Sequence, residues 1–182
     1  MGVTARTDPW LIVVSGWTGA GKSTMAEALA SELGGAVASF DWLMSALRSH
    51  DDVWSVVEQP VELQRRVGWD LLARVAEQQL RGGRSCILDL VAREQARREW
   101  EQLAAEHGAG FAVVECVCSD VAVHRRRVEG RERGIPGWYE LQWEWVERGR
   151  EHYQPLAEPK VVIDAVHPVS NNLRAVLDHL VR

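Results

Sequence analysis

The sequence predicts an α/β protein, a doubly wound five-stranded parallel sheet in the order 2-3-1-4-5 with helices on both faces. Three observations carry this expectation. Five short apolar runs alternate with segments of helical periodicity, the pattern of parallel strands joined by right-handed crossovers. A glycine-rich stretch joins the first apolar run to the first helical segment. The chain has 182 residues, 46% hydrophobic and 26% charged, which suits one domain with a real core. No repeat, low-complexity segment or linker divides it, so residues 1–182 read as one domain.

Taken in order, residues 10–15 form a continuous apolar run and read as the first strand. Residues 23–33 have helical periodicity and stop at Gly34-Gly35, a normal helix end. Residues 36–39 are a short second strand, followed by a helix over 41–48 and a partly helical stretch, 49–59. A long amphipathic helix covers 61–81 and stops at Gly82-Gly83. The third strand is 85–90, followed by a helix over 93–107 ended by Gly108 and a fourth strand over 111–118. An arginine-rich helix is expected over 120–133, ended by Gly134, and another over 138–153, with residues 134–137 as a hinge between them. Trp138, Leu141 and Trp145 would then share one helical face. The last strand is 161–164 and the closing helix 171–181. Residues 119–153 together read as a lid.

Composition excludes several classes. The net charge of −5 gives no global attraction to nucleic acid or to an anionic membrane. No run reaches membrane-span length, and residues 1–9 lack the apolar core of a signal peptide, so a cytoplasmic location is expected. Cys86, Cys116 and Cys118 have neither zinc-site nor redox-motif spacing and read as small buried hydrophobes. Of 21 basic side chains only Lys22 and Lys160 are lysines.

One of these two lysines falls inside the pattern GxxxxGK[ST], matched by Gly16, Gly21, Lys22 and Ser23. Residues Gly16, Trp17, Thr18, Gly19, Ala20, Gly21, Lys22, Ser23 and Thr24 thus form a P-loop between a strand and a helix. Glycines let the backbone curl so that its N–H groups face phosphate oxygens. The helix that follows points its N-terminus at the anion. Lys22 would reach the β- and γ-phosphates and Ser23 would ligate magnesium. The expected ligands are therefore ATP and Mg2+.

What surrounds the loop narrows its use. The strand over 85–90 carries Asp89 followed by Leu90, so the glutamate with which motor-type ATPases polarise water is missing. With lysine only at 22 and 160, the Asn-Lys-x-Asp motif that reads guanine is absent. A kinase acting on a bound hydroxyl needs a carboxylate beside the acceptor. Asp41, directly after the second strand, is the candidate general base, with capping of the 41–48 helix as an alternative or added role. Asp89 can serve the magnesium shell or the acceptor, or cap the helix near 93. In the stripe Arg125, Arg126, Arg127, Arg131 and Arg133, the i,i+4 pair Arg127 and Arg131 is expected to share a helix face and to clamp phosphates from the lid. Trp42, Trp54 and Trp69 bracket the acceptor region and can wall a bulky apolar acceptor.

On Gly16 to Thr24, the Ser39-Phe40-Asp41-Trp42-Leu43 segment, Gly68-Trp69-Asp70, Cys86 to Leu90, Val117-Cys118-Ser119-Asp120 and Val162 to His167, the chain resembles the small P-loop kinases. These include chloramphenicol phosphotransferase, zeta toxin, gluconate kinase and the kinase domain of polynucleotide kinase, and the look is closest to the chloramphenicol phosphotransferase-like branch. The resemblance implies a compact kinase with Asp41 as general base, Lys22 as phosphate clamp and Arg127 or Arg131 as lid arginines. It implies that Arg48 contacts acceptor or phosphate and that His167 borders the nucleobase. The acceptor would be a small-molecule hydroxyl, an antibiotic or secondary metabolite among the candidates. A polynucleotide 5′-hydroxyl or nucleotide-sugar kinase is the alternative enzyme, and a non-catalytic nucleotide-binding regulator the alternative from another class. Oligomeric state and purine preference stay open.

Overall fold

The computed structural model describes residues 8–181. Most of the segment 1–9, read above as free of a signal peptide, lies outside them. Trp10–Gly16 (β1) is the central strand, and Leu11, Ile12, Val13 and Val14 are fully buried. An uninterrupted apolar run is what a parallel strand covered on both faces requires. Cys86–Asp89 (β3) pairs with β1 on one side, Ile12 opposite Ile87. Gly110–Val117 (β4) pairs with it on the other, Ile12 opposite Ala112. Ala36–Ser39 (β2) lies outside β3 and Val161–Asp164 (β5) outside β4. The sheet is parallel throughout with order β2-β3-β1-β4-β5, as expected.

Strand alternation divides the interior into two cores. Leu11, Val13 and Leu88 face Trp69, Leu72 and Ala76 of Val61–Arg81 (α4) and Ala96 and Trp100 of Glu94–Glu106 (α5). Ile12, Val14 and Ile87 face Met25, Ala26 and Leu29 of Lys22–Leu33 (α1) and Val176 of Val169–Leu180 (α8). Because all strands run one way, their carboxyl ends lie at one edge of the sheet, where such folds place their ligands. Cys86, Cys116 and Cys118 are buried and unpaired. Burial pushes the Cys86 and Cys116 thiols up to about 12, so they are inert packing groups.

Phe40–Arg48 (α2) follows β2 without a connecting loop, and the partly helical stretch contains Asp51–Val57 (α3). The capping role considered for Asp41 is not what the structure contains. Ser39 is the N-cap residue of α2, no side chain caps it, and Asp41 lies in the first turn. Likewise Arg93, not Asp89, stands at the N-cap of α5.

The lid departs most from expectation. Val121–Glu129 (α6) stops at Gly130, four residues short, and Trp143–Arg150 (α7) begins five residues late. Asp120 caps α6 by accepting from the Val123 N–H at 2.9 Å. Gly130 ends α6 with its N–H on Arg126 O, and Pro136 disfavours helix at the preceding residue. Glu140 accepts from Arg131 Nε at 3.2 Å and from the Arg133 backbone N–H at 3.0 Å, so residues 130–142 close into a loop. The i,i+4 face expected for Arg127 and Arg131 is therefore absent, since Arg131 is not helical. Trp138 and Leu141 also precede α7. Trp138 stacks on Tyr139, Leu141 packs on Val128, Trp143 and Val146, and Trp145 stacks on Trp17.

Candidate active site

The loop between β1 and α1 turns on Gly21, whose φ of 85° is a left-handed conformation that glycine adopts freely. Gly21 is also the N-cap residue of α1 and offers no side-chain acceptor. The first N–H groups of the helix, which have no intrahelical partners, are thus left for an anion. Ala20 N–H donates to Trp17 O at 3.1 Å, and Lys22 Nζ donates to the same carbonyl at 3.2 Å.

Two side chains fasten this loop to α6 and α7. The Trp17 ring points toward α7 and its Nε1–H donates to Val146 O at 2.8 Å. It stacks on Trp145 at 5.9 Å and tilts against Tyr153 at 5.7 Å. A side chain at Gly149 would collide with the ring, so α7 carries a glycine where the indole meets it. From α6, the buried His124 places Nε2 at 2.7 Å from Thr18 O. A carbonyl only accepts, so Nε2 carries the proton and Nδ1 is free to accept from Arg150 Nη2 at 3.4 Å. Burial lowers the His124 pKa; the Thr18 carbonyl opposes this and Arg150 reinforces it.

Ser23 Oγ donates to Asp89 Oδ2 at 2.7 Å, which joins the serine of the loop to the end of β3. Asp89 is 6% exposed. Burial raises its pKa, against Lys22 and the Ser23 bond. Lys22 shows the mirror image, lowered by burial with Asp89 opposing. A hydroxyl and a carboxylate side by side are hard oxygen donors, which fit Mg2+. No cluster of three or more acidic, histidine or cysteine side chains able to hold a metal exists among the described residues.

A cavity of about 390 Å3 opens in front of the loop. Gly19, Gly21, Lys22, Ser23 and Thr24 form one wall; Arg127, Arg131 and Arg133 form another; Ala165, His167 and Asn172 close the β5–α8 side. Arg127 Nη2 donates to Ala165 O at 2.8 Å, and Asn172 Nδ2 to Asp164 O at 2.8 Å. The two arginines selected from the sequence thus reach one cavity although they share no helix face. Arg133 joins them, and only its place in the stripe marked it. Asn172, a polar cavity residue that sequence reasoning missed, carries no signal, because a lone asparagine on a helix is ordinary.

Asp41, Asp89, Trp42 and Arg48 lie outside the cavity lining. Asp41 is ion-paired with Arg133 Nη1. Arg48 lies over the rings of Tyr139, Trp54 and Trp138 at 4.7, 5.6 and 5.8 Å, so cation–π contact ties α2 to the lid loop. Trp42 is 52% exposed. Trp69 is buried in the core, which removes it from any acceptor wall.

A P-loop carried at the carboxyl edge of a 2-3-1-4-5 parallel sheet, with a lysine, a paired serine and aspartate and three arginines lining the same cavity, defines a P-loop nucleotide-binding protein of the kinase-like fold. The chain belongs to the AAA domain family AAA_33, whose model matches residues 11–156. Solved structures agree on the fold. A gluconokinase from Sinorhizobium meliloti 1021 is 21% identical, with 97% of this chain and 94% of that chain covered and a TM-score of 0.62. The APS kinase of Mycobacterium tuberculosis, in complex with AMPPNP and APS, is 17% identical, covered 96% and 99%, TM-score 0.65. Kti12 of Chaetomium thermophilum, in complex with ADP-AlF3, is 18% identical, covered 94% and 99%, TM-score 0.65. At these identities the likeness is one of fold. No curated protein sequence matches the chain. Among the described residues, no helix is long and apolar enough to cross a membrane.

Proposed function

We propose that this chain is an ATP-dependent kinase that transfers the γ-phosphate to a hydroxyl of a small molecule, with Asp41 as general base. The observation that carries this reading is the position of Asp41. Its carboxylate stands at the head of α2, outside the phosphate cavity but bonded to Arg133, which lines that cavity. A carboxylate there can receive a proton from a hydroxyl placed in line with the terminal phosphorus. The family and the kinase neighbours support the same class.

In the proposed step, the acceptor O–H gives its proton to Asp41 as the oxygen attacks the γ-phosphorus. The new O–P bond forms on one side while the bond to the β–γ bridging oxygen breaks on the other. Lys22, Arg127 and Arg131 offset the charge that develops on the phosphoryl oxygens and on departing ADP. Ser23 and Asp89 would hold Mg2+, which would supply further positive charge against the phosphates. His167 would border the base and Arg48 the acceptor. Water is a poor competitor, because Leu90 stands where a hydrolytic glutamate would follow Asp89.

On the acceptor side, Trp54, Trp138 and Tyr139 surround Arg48. Aromatic walls with an embedded cation favour a flat or bulky small molecule over a simple sugar, and an antibiotic or secondary metabolite fits that chemistry. The test is a panel of such hydroxyl compounds with γ-labelled ATP, read by mass spectrometry for a phosphate adduct. Asp41→Asn should still bind nucleotide while transfer falls by about 10²- to 10⁴-fold. Transfer at a near wild-type rate by that variant would remove Asp41 as the base.

A further inference from the structure

Arg133 has more partners than a surface arginine needs. It is 14% exposed, and each part of its guanidinium is engaged. Nε lies 3.0 and 3.2 Å from the two oxygens of Glu140, Nη2 donates to Tyr139 O at 2.8 Å, and Nη1 pairs with Asp41. Glu140 also accepts from the Arg133 backbone N–H. Glu140 and Tyr139 belong to the same lid loop as Arg133, so those contacts travel with the arginine. The Asp41 contact does not, because it crosses to α2.

The same side chain lines the phosphate cavity beside Lys22, Arg127 and Arg131. Arg133 therefore stands between two anionic positions, the Asp41 carboxylate and the place of the terminal phosphate. Its Nη1 edge can serve only one of them fully. While Nη1 holds it, Asp41 Oδ2 has one lone pair fewer to offer an acceptor hydroxyl.

We propose that Arg133 exchanges partners, leaving Asp41 for the terminal phosphate of a bound nucleoside triphosphate, so that the base is released only when the phosphoryl donor is in place. This rests on Asp41 as the base of the reaction proposed above. Arg133 then acts as a positioning residue that orders the two halves of the reaction. Glu140 keeps the guanidinium aimed in both positions, and Arg48 against Tyr139 and Trp138 holds the loop near α2. The exchange moves no proton and breaks no covalent bond. It replaces one charge-assisted hydrogen bond by another.

Exchange predicts competition that can be read without any acceptor. Binding of Mg–AMP-PNP and Mg–ADP is measured by calorimetry on the full chain for wild type, Asp41→Asn, Arg133→Gln and the double variant. Asp41→Asn should tighten AMP-PNP binding by about tenfold, because Arg133 no longer has to leave a carboxylate. In the Arg133→Gln background the same substitution should give only the smaller gain from removing a nearby negative charge. Mg–ADP, which lacks the terminal phosphate, should show little of this coupling. Asp41→Ala replaces Asp41→Asn if the amide variant unfolds early in a thermal melt. Equal effects of Asp41→Asn in both backgrounds, or equal coupling with ADP and AMP-PNP, would make the ion pair a fixed strut and overturn the exchange. The readout is binding alone, so its failure is separate from a failure of Asp41 as base, which only the transfer assay reports.

Discussion

Trp17 occupies a loop position where the GxxxxGK[ST] pattern asks for nothing, and the structure gives it a large side-chain role. Its indole donates one hydrogen bond to Val146 O and makes two aromatic contacts, with Trp145 and Tyr153. Trp17→Phe keeps a ring against α7 and removes only the donor. The loss of one neutral hydrogen bond should cost about 1 kcal/mol. Trp17→Ala removes the donor and both ring pairs, each pair contributing about 0.5–1.5 kcal/mol beyond area. That sum is about 3 kcal/mol, the low end for Trp→Ala, which suits a half-buried ring. Urea unfolding followed by far-ultraviolet circular dichroism measures both, and avoids the mixed fluorescence of nine tryptophans. Because Lys22 and Ala20 bond only the Trp17 carbonyl, Trp17→Phe should leave nucleotide affinity within about threefold, well inside one hydrogen bond's worth. A Trp17→Ala loss below about 1 kcal/mol, or a Trp17→Phe loss as large as that of Trp17→Ala, would show that the indole does not fasten the loop to α7.

Two further outcomes are expected. Lys22→Met should weaken ATP binding by about 10- to 100-fold in equilibrium titration, the loss of a charge-assisted contact. Lys22→Arg should not restore it, because a planar fork cannot replace a compact ammonium enclosed by the loop. His124 is held neutral in the fold, with a pKa depressed by burial foremost. Its contribution to stability is therefore complete above the unfolded value of about 6.5 and is lost as pH falls from there through the folded pKa. Unfolding free energy measured between neutral and mildly acidic pH should decline in that window, and His124→Gln should flatten the decline. An unchanged slope in the variant would assign it to other groups.

The legible parts of the sequence were those where backbone chemistry and periodicity agree. The runs at β1, β3 and β4 could only be strands covered on both faces, and the spacing of Gly16, Gly21, Lys22 and Ser23 has one common geometric use. The positions of Asp89, which ends β3, and of Asp41, two residues past the end of β2, were legible because the residues at and just after the end of a parallel strand lie at the ligand edge. The lid was not legible, because charge periodicity in Arg125 to Arg133 is the same for a helix and for a loop that folds back on Glu140. Gly130 was the one local signal of the break, and a single glycine near a helix end is weak. Trp69 looked like an acceptor residue for a related reason. It lies in the stretch that follows Asp41, and only the packing of α4 on the sheet decides that its ring joins the core.

The phosphate-facing groups share one property that bears on how the site would work. Lys22 bonds Trp17 O, Arg127 bonds Ala165 O, Arg131 bonds Glu140, Arg133 bonds Asp41 and Ser23 bonds Asp89. A triphosphate entering this cavity exchanges contacts instead of meeting bare cations. Each exchange gives only the difference between two hydrogen bonds, so affinity is far smaller than a count of contacts suggests. Selectivity is not reduced in the same way. Burial raises Asp89 and lowers Lys22, so each is held in an environment that disfavours its own charge. In the proposed reaction, a divalent cation at Asp89 and phosphate oxygens at Lys22 would relieve both at once, whereas a nucleotide without the metal would relieve only the lysine. In the proposed reaction such a site would discriminate for the metal–triphosphate pair, and the proposed exchange at Arg133 would extend that discrimination to the moment when the acceptor can react.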